Sequence, residues 1–90
     1  MAKIKANKYL LPPDLRLFTR EEVAAIFGDC SVNTITLLTE IGCIKAIRIG
    51  KRYLYSYESI KQFERDYESL DVSNRLKAIE SLKIVNNRKS

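Results

Sequence analysis

The chain has 90 residues, enough for one small domain and near the lower range at which a single core sustains a fold. Its hydrophobic fraction of 46% predicts folding rather than disorder, and it holds no apolar run long enough to span a membrane. Sixteen Lys and Arg against eleven Asp and Glu leave a formal charge of +5, which favours an acidic partner, while the absence of histidine excludes zinc chemistry and His-based triads in their usual forms.

Residues 1–16 carry Lys3, Lys5, Lys8 and Arg16 against Asp14, a net +3. Pro12-Pro13 block a continuous helix there, so a basic, extended N-terminal arm is predicted, anchored to the body by Tyr9, Leu10 and Leu11. The opening Met1-Ala2-Lys3-Ile4-Lys5 lacks the apolar stretch of a signal peptide, and a cytoplasmic location is expected.

Residues 17–70 form the predicted body. Thr19 followed three residues later by Glu22 is a capping box, and Phe18 with Val23 has the spacing of a hydrophobic staple. A first helix follows, with Val23, Ile26 and Phe27 as its apolar stripe and Gly28 as its stop. Ser31 caps a second helix running from Val32 to about Ile41, ended by Gly42. On a helical wheel Val32, Ile35, Leu38 and Thr39 share the inward face, Thr36, Leu37 and Glu40 lie opposite, and Ile41 sits at the edge. Two short helices joined by a tight turn near Asp29-Cys30-Ser31 read as a helix-turn-helix.

Residues 45–56 read as a β-hairpin. Ile47 and Ile49 alternate with Arg48 as in a half-buried strand, Gly50-Lys51 makes a two-residue turn, and Tyr53, Leu54 and Tyr55 form the return leg. Ser56 caps a third helix with the stripe Ile60, Phe63, Tyr67 and Leu70. In the C-terminal segment 71–90, a fourth helix starts at Asp71 or Ser73, with Val72, Leu76 and Ile79 on one side and Lys83 next along it, and the tail from Asn86 onward is predicted to fray. The expected fold is mainly α with a small β-hairpin wing, a winged helix-turn-helix.

No catalytic constellation emerges. Cys30 and Cys43 are the only cysteines, too few for a structural zinc site and best read as reduced, partly buried apolar residues. Ile49-Gly50-Lys51 matches no phosphate-cradling loop, and Glu21 and Glu22 are accounted for as helix-start charges. A protein that is not an enzyme, with no cofactor and no metal, is expected.

The stretch Phe18-Thr19-Arg20-Glu21-Glu22-Val23-Ala24-Ala25-Ile26-Phe27-Gly28 resembles the opening of the excisionase family, which is related to the DNA-binding domain of MerR-type regulators. Ser31, Thr34-Ile35 and Leu38, then Gly42 with Ile44, are similar to that family's second helix and its exit. Residues Ala46 to Tyr53 resemble its wing, and Ser56, Glu58, Ile60 and Phe63 its closing helix, so the likeness spans about residues 17–66. It implies a cytoplasmic bacterial or phage protein of a mobile element, one that directs excision, regulates transcription or assists replication. Double-stranded DNA is the ligand implied, with the second helix in the major groove and the wing on the backbone or minor groove.

Two departures stand out. The turn Gly28-Asp29-Cys30-Ser31 has one residue more than the family commonly shows, and the open face of the second helix offers Asn33, Thr36, Leu37 and Glu40 where Arg, Lys or Tyr is usual. Residues 17–43 hold Arg20 against Glu21, Glu22, Asp29 and Glu40, a net −3, whereas residues 44–56 hold Lys45, Arg48, Lys51 and Arg52 with no acid, a net +4. Affinity for DNA comes largely from phosphate neutralisation, so the wing is the expected main contact. Lys45, Arg48, Lys51, Arg52 and Tyr53 are its candidates, with Asn33 and Thr36 as base readers and Tyr53 and Tyr55 as stacking residues, at least one of which is expected in the core. Leu37 and Ile41 look instead like protein-contact residues.

Two functions follow from these residues. One is a DNA-binding architectural or regulatory protein. The other is a non-catalytic accessory subunit that docks through its second helix on a recombinase, polymerase or helicase of the same element and holds DNA, double- or single-stranded, with the wing. A membrane-surface role is disfavoured, because no helix pairs a basic face with bulky exposed aromatics.

Overall fold

The computed structural model describes residues 11–89. A single 3-10 turn at Pro13–Leu15 leads into strand β1 (Leu17–Phe18), helices α1 (Arg20–Ile26) and α2 (Val32–Ile41), strands β2 (Ile47–Ile49) and β3 (Arg52–Ser56), and helices α3 (Tyr57–Asp66) and α4 (Arg75–Lys89). Four helices thus accompany one three-stranded antiparallel sheet of order β1-β3-β2. None of the described helices is long and apolar enough to cross a membrane.

Side-chain caps fix where the helices begin. The Thr19 hydroxyl accepts from the Glu22 amide at 3.1 Å and Glu22 Oε1 accepts from the Thr19 amide at 2.8 Å, which completes the expected capping box. The other Glu22 oxygen accepts from Arg16 at 3.1 Å, and the same guanidinium lies 4.1 Å from the centre of the Phe18 ring. Arg16 is therefore occupied in holding the start of α1. Ser31 and Ser56 cap α2 and α3 as predicted, accepting from the amides of Asn33 and Ser59 at 3.0 Å each.

The connection between α1 and α2 accommodates its additional residue with two consecutive left-handed positions, Gly28 at φ 80° and Asp29 at φ 61°. Asp tolerates this region better than most side chains, and the Cys30 amide then returns to the Ala24 carbonyl at 3.2 Å.

Val23, Ile35, Ile44 and Tyr55 are wholly buried at the centre, surrounded by Phe18, Ala24, Leu38, Ile60, Tyr67, Ala78 and Val85. Each large aliphatic among them gains about 1.5–3 kcal/mol from leaving water. Phe27, Phe63 and Tyr67 stack in series, with centroids 5.1 and 4.8 Å apart, and join α1 to α3. Cys30 is half-buried and Cys43 buried, both free, and burial pushes both thiols up, which leaves them poorly nucleophilic.

Several expectations are corrected. Ile26 is 47% exposed, and the small Ala24 takes the second inward position of the short α1. Leu11 is exposed and does not anchor the arm, while Tyr9 and Leu10 lie outside the described residues. Helix α4 starts later than expected, with Asn74 Oδ1 accepting from the Lys77 amide at 2.9 Å. Its buried face is Ala78, Ser81 and Val85, while Leu76 is 66% exposed. The tail stays helical through Lys89, whose ammonium lies 2.8 Å from Asp66 Oδ2. Partial burial alone would raise the Asp66 carboxyl, but hydrogen bonds from Lys89 and Gln62 outweigh it and hold the group below its ordinary range.

Candidate nucleic-acid interface

The hairpin forms with the register Ile47↔Leu54, Arg48↔Tyr53 and Ile49↔Arg52, closed by Gly50 at φ 63° in the turn. A β-carbon there would put an ordinary residue into a left-handed conformation costing roughly 1–2 kcal/mol. On its other side β3 pairs with β1, Phe18 standing opposite Tyr55. Directly opposed residues share a face of the sheet, so Phe18, Tyr55, Tyr53 and Arg48 lie on one face and Leu54, Ile47, Ile49 and Arg52 on the other.

The expected strand forms, but without the buried face expected of it. Ile47 and Ile49 are 47% and 51% exposed, and Arg48 is exposed too, because β2 pairs only along β3 and lies outside the buried core. The two tyrosines also part company. Tyr55 is wholly buried, which removes it as a stacking residue, whereas Tyr53 is half-buried with the Arg48 guanidinium 5.3 Å from its ring centre.

The cations divide by use. Five ion pairs among the described residues tie Arg16 to Glu22, Lys61 to Glu64, Arg65 to Glu58, Lys77 to Asp71 and Lys89 to Asp66. Not one of them involves the hairpin. Arg48, Lys51 and Arg52 are exposed without an acidic partner among the described residues, gathered around the turn. Lys45 is set apart from them. It lies before the hairpin on a cleft shared with Glu58, Gln62, Asp66 and Lys89, whose two acids pair with Arg65 and Lys89.

Helix α2 presents Asn33, Leu37 and Glu40 along one ridge, with Asn33 and Glu40 exposed and Leu37 half-buried. Ile41 packs against the core, which leaves Leu37 as the apolar residue of that ridge. Thr36 is already engaged, donating to the Val32 carbonyl at 3.2 Å and accepting from Arg20 Nη1 at 2.9 Å.

That last bond brings in a residue sequence reasoning passed over. Arg20, from the first turn of α1, supplies α2 with the cation its own outer face lacks. One turn along α2, Thr39 donates to the Ile35 carbonyl at 2.7 Å, and its oxygen lies 2.6 Å from the Tyr55 hydroxyl. The single Thr39 proton is committed to the carbonyl, so the phenol is the donor to Thr39. Burial pushes the Tyr55 phenol up, and the nearby Arg20 charge pulls against it. Two separate polar contacts therefore tie α2 to its neighbours, Arg20 to Thr36 from α1 and Tyr55 to Thr39 from β3, and farther along β3 Arg48 lies over Tyr53. No signal in the sequence links positions sixteen residues apart such as Arg20 and Thr36.

Among the described residues no group of three or more His, Cys, Asp or Glu side chains could hold a metal ion. No protein-family model, curated protein or solved structure matches the chain.

Proposed function

We propose that the chain is a non-catalytic winged helix-turn-helix protein that binds DNA, with β2 and β3 as its wing and α2 as the helix beside it. One observation carries the reading: three exposed cations without an ion pair gather at the hairpin turn with no acid in the hairpin, whereas the exposed Arg75, Lys83 and Arg88, also outside the ion pairs, are spaced along α4 among paired ones. Unpaired cations on a projecting ribbon suit phosphate, since each phosphate neutralised releases condensed counterions and adds affinity. Arg20 extends this surface across α2, and Asn33, exposed and without a hydrogen bond from its side chain among the described residues, has the donor and acceptor that read adenine. Without an Arg or Lys on α2 the strong bidentate guanine contact is missing there, so selectivity for sequence is low.

The test is a salt titration of binding to a labelled random-sequence duplex. Replacing Arg48, Lys51 and Arg52 together with Ala flattens the slope of log K against log[salt] by roughly two to three, about 0.9 for each phosphate no longer neutralised. An unchanged slope removes the wing from the mechanism. A second reading, an accessory subunit of a mobile-element recombination or replication machine, rests on the cation-free ridge of α2, where Leu37 stands between Asn33 and Glu40.

A further inference from the structure

Ile47 and Ile49 stay about half exposed with every described element in place, and Leu54 continues their strip on the same face of the hairpin. The strip ends at the turn beside Arg52 and Lys51, with Arg48 on the reverse face. Two branched apolar side chains among three unpaired cations select their occupant. A second copy of the hairpin would set like charges against like. Phosphate alone satisfies the cations and leaves the isoleucines wet. Duplex DNA offers both chemistries at once, phosphate walls on either side of an apolar base stack.

Given the DNA-binding reading above, we propose that Ile47 and Ile49 are wedge residues: the hairpin enters the minor groove, its cations take the flanking phosphates, and the isoleucines press into a base step, partly unstack it and bend the duplex. Aliphatic wedges of this kind kink DNA by roughly 20–90° toward the major groove. The ligand is thus a deformable duplex, and a step already weakened by a mismatch costs less to open and binds tighter. Tyr55 is buried and Tyr53 lies under Arg48, so the hairpin offers no open aromatic face for bases of a single strand.

The test compares the wild-type chain with Ile47→Thr/Ile49→Thr, which keeps β-branched side chains in an exposed strand and so preserves the hairpin, as circular dichroism and the melting midpoint verify. Three probes share one sequence: a perfect duplex of about 30 base pairs with a dye at each end, the same duplex with a central mismatch, and the single strand. The wild type is expected to raise energy transfer between the dyes and to favour the mismatched duplex by about tenfold. The variant is expected to lose both effects while keeping the wild-type salt slope. An unbent duplex, or a bend and mismatch preference that survive in the variant, overturns the wedge while leaving the DNA-binding reading intact, and a protein partner then becomes the occupant of the strip. Preference for the single strand overturns it as well. Failure of the wild type to bind any probe overturns both readings.

Discussion

Tyr55→Phe isolates the contact that joins α2 to the central strand. The phenol is fully buried, and its hydroxyl donates to Thr39 across 2.6 Å. Phenylalanine fills the same space, so no cavity opens and the effect is confined to the hydrogen bond. Thr39 keeps its own donation to the Ile35 carbonyl at 2.7 Å, which leaves one acceptor lone pair without a partner and no donor stranded. A net hydrogen bond is worth about 0.5–1.5 kcal/mol. In a domain of this size 1 kcal/mol moves the melting midpoint by about 4–8 °C, so a decrease near 5 °C is expected. Tyr55→Ala would also remove the buried ring, at a cost of about 3–5 kcal/mol by analogy with other aromatic truncations, and unfold much of the population. Thermal and urea unfolding followed by circular dichroism measure both, with an unchanged urea m-value as the check that the unfolded state is the same. If Tyr55→Phe melts at or above the wild-type temperature, the Thr39 contact does not stabilise the fold and the bond between α2 and β3 is incidental.

Arg20→Ala is expected to lower the slope of log K against log[salt] by about 0.9, one phosphate contact, with the melting midpoint nearly unchanged; a slope equal to wild type would confine Arg20 to its bond with Thr36. Leu37→Glu puts a charge on the α2 ridge outside the core, so folding and the proposed DNA binding are expected to survive while any docking or self-association is abolished; a collapse of the melting midpoint would return Leu37 to the core. Asp66→Asn removes the partner of Lys89. Because the folded state holds the Asp66 carboxyl below its ordinary value, the stability it lends is present above about pH 4 and is lost as pH falls through the lowered value. The variant is therefore expected to melt below wild type at neutral pH and to converge with it in acid, and parallel curves would dismiss the pair.

Local chemistry made most element boundaries legible. Thr19 with Glu22, Ser31 and Ser56 each mark a helix start by a bond formed within three residues, and Gly42 ends α2 where expected. Burial was harder to read. Ile26 has core spacing, yet Ala24 occupies the inward position, since close helix approach rewards small side chains that hydrophobic patterns undervalue. Ala78 and Ser81 mislead in the same way on α4, where the Ser81 hydroxyl also donates to the Asp71 carbonyl at 2.7 Å and fastens the preceding loop. Alternation at Ile47 and Ile49 revealed the strand but not its exposure, because alternation does not report how far a hairpin projects. The cationic hairpin itself was visible as a run of charges. The separation of Lys45 from it and the arrival of Arg20 at α2 depend on tertiary packing.

Strand β3 is covered along one side by β1 and along the other by β2, which leaves the outer edge of β2 open among the described residues. An open edge carrying two exposed isoleucines is the kind of surface on which β-proteins aggregate. Here Arg48, Lys51 and Arg52 also serve as gatekeepers, since a neighbouring copy aligned on that edge would meet the same cations. That protection is electrostatic and fades as the screening length contracts from about 10 Å at 0.1 M salt to about 3 Å at 1 M. Concentrated salt, commonly used to strip nucleic acid from a basic protein, therefore also removes the repulsion that keeps these edges apart. Colloidal stability is expected to be greatest at low ionic strength or with the hairpin occupied.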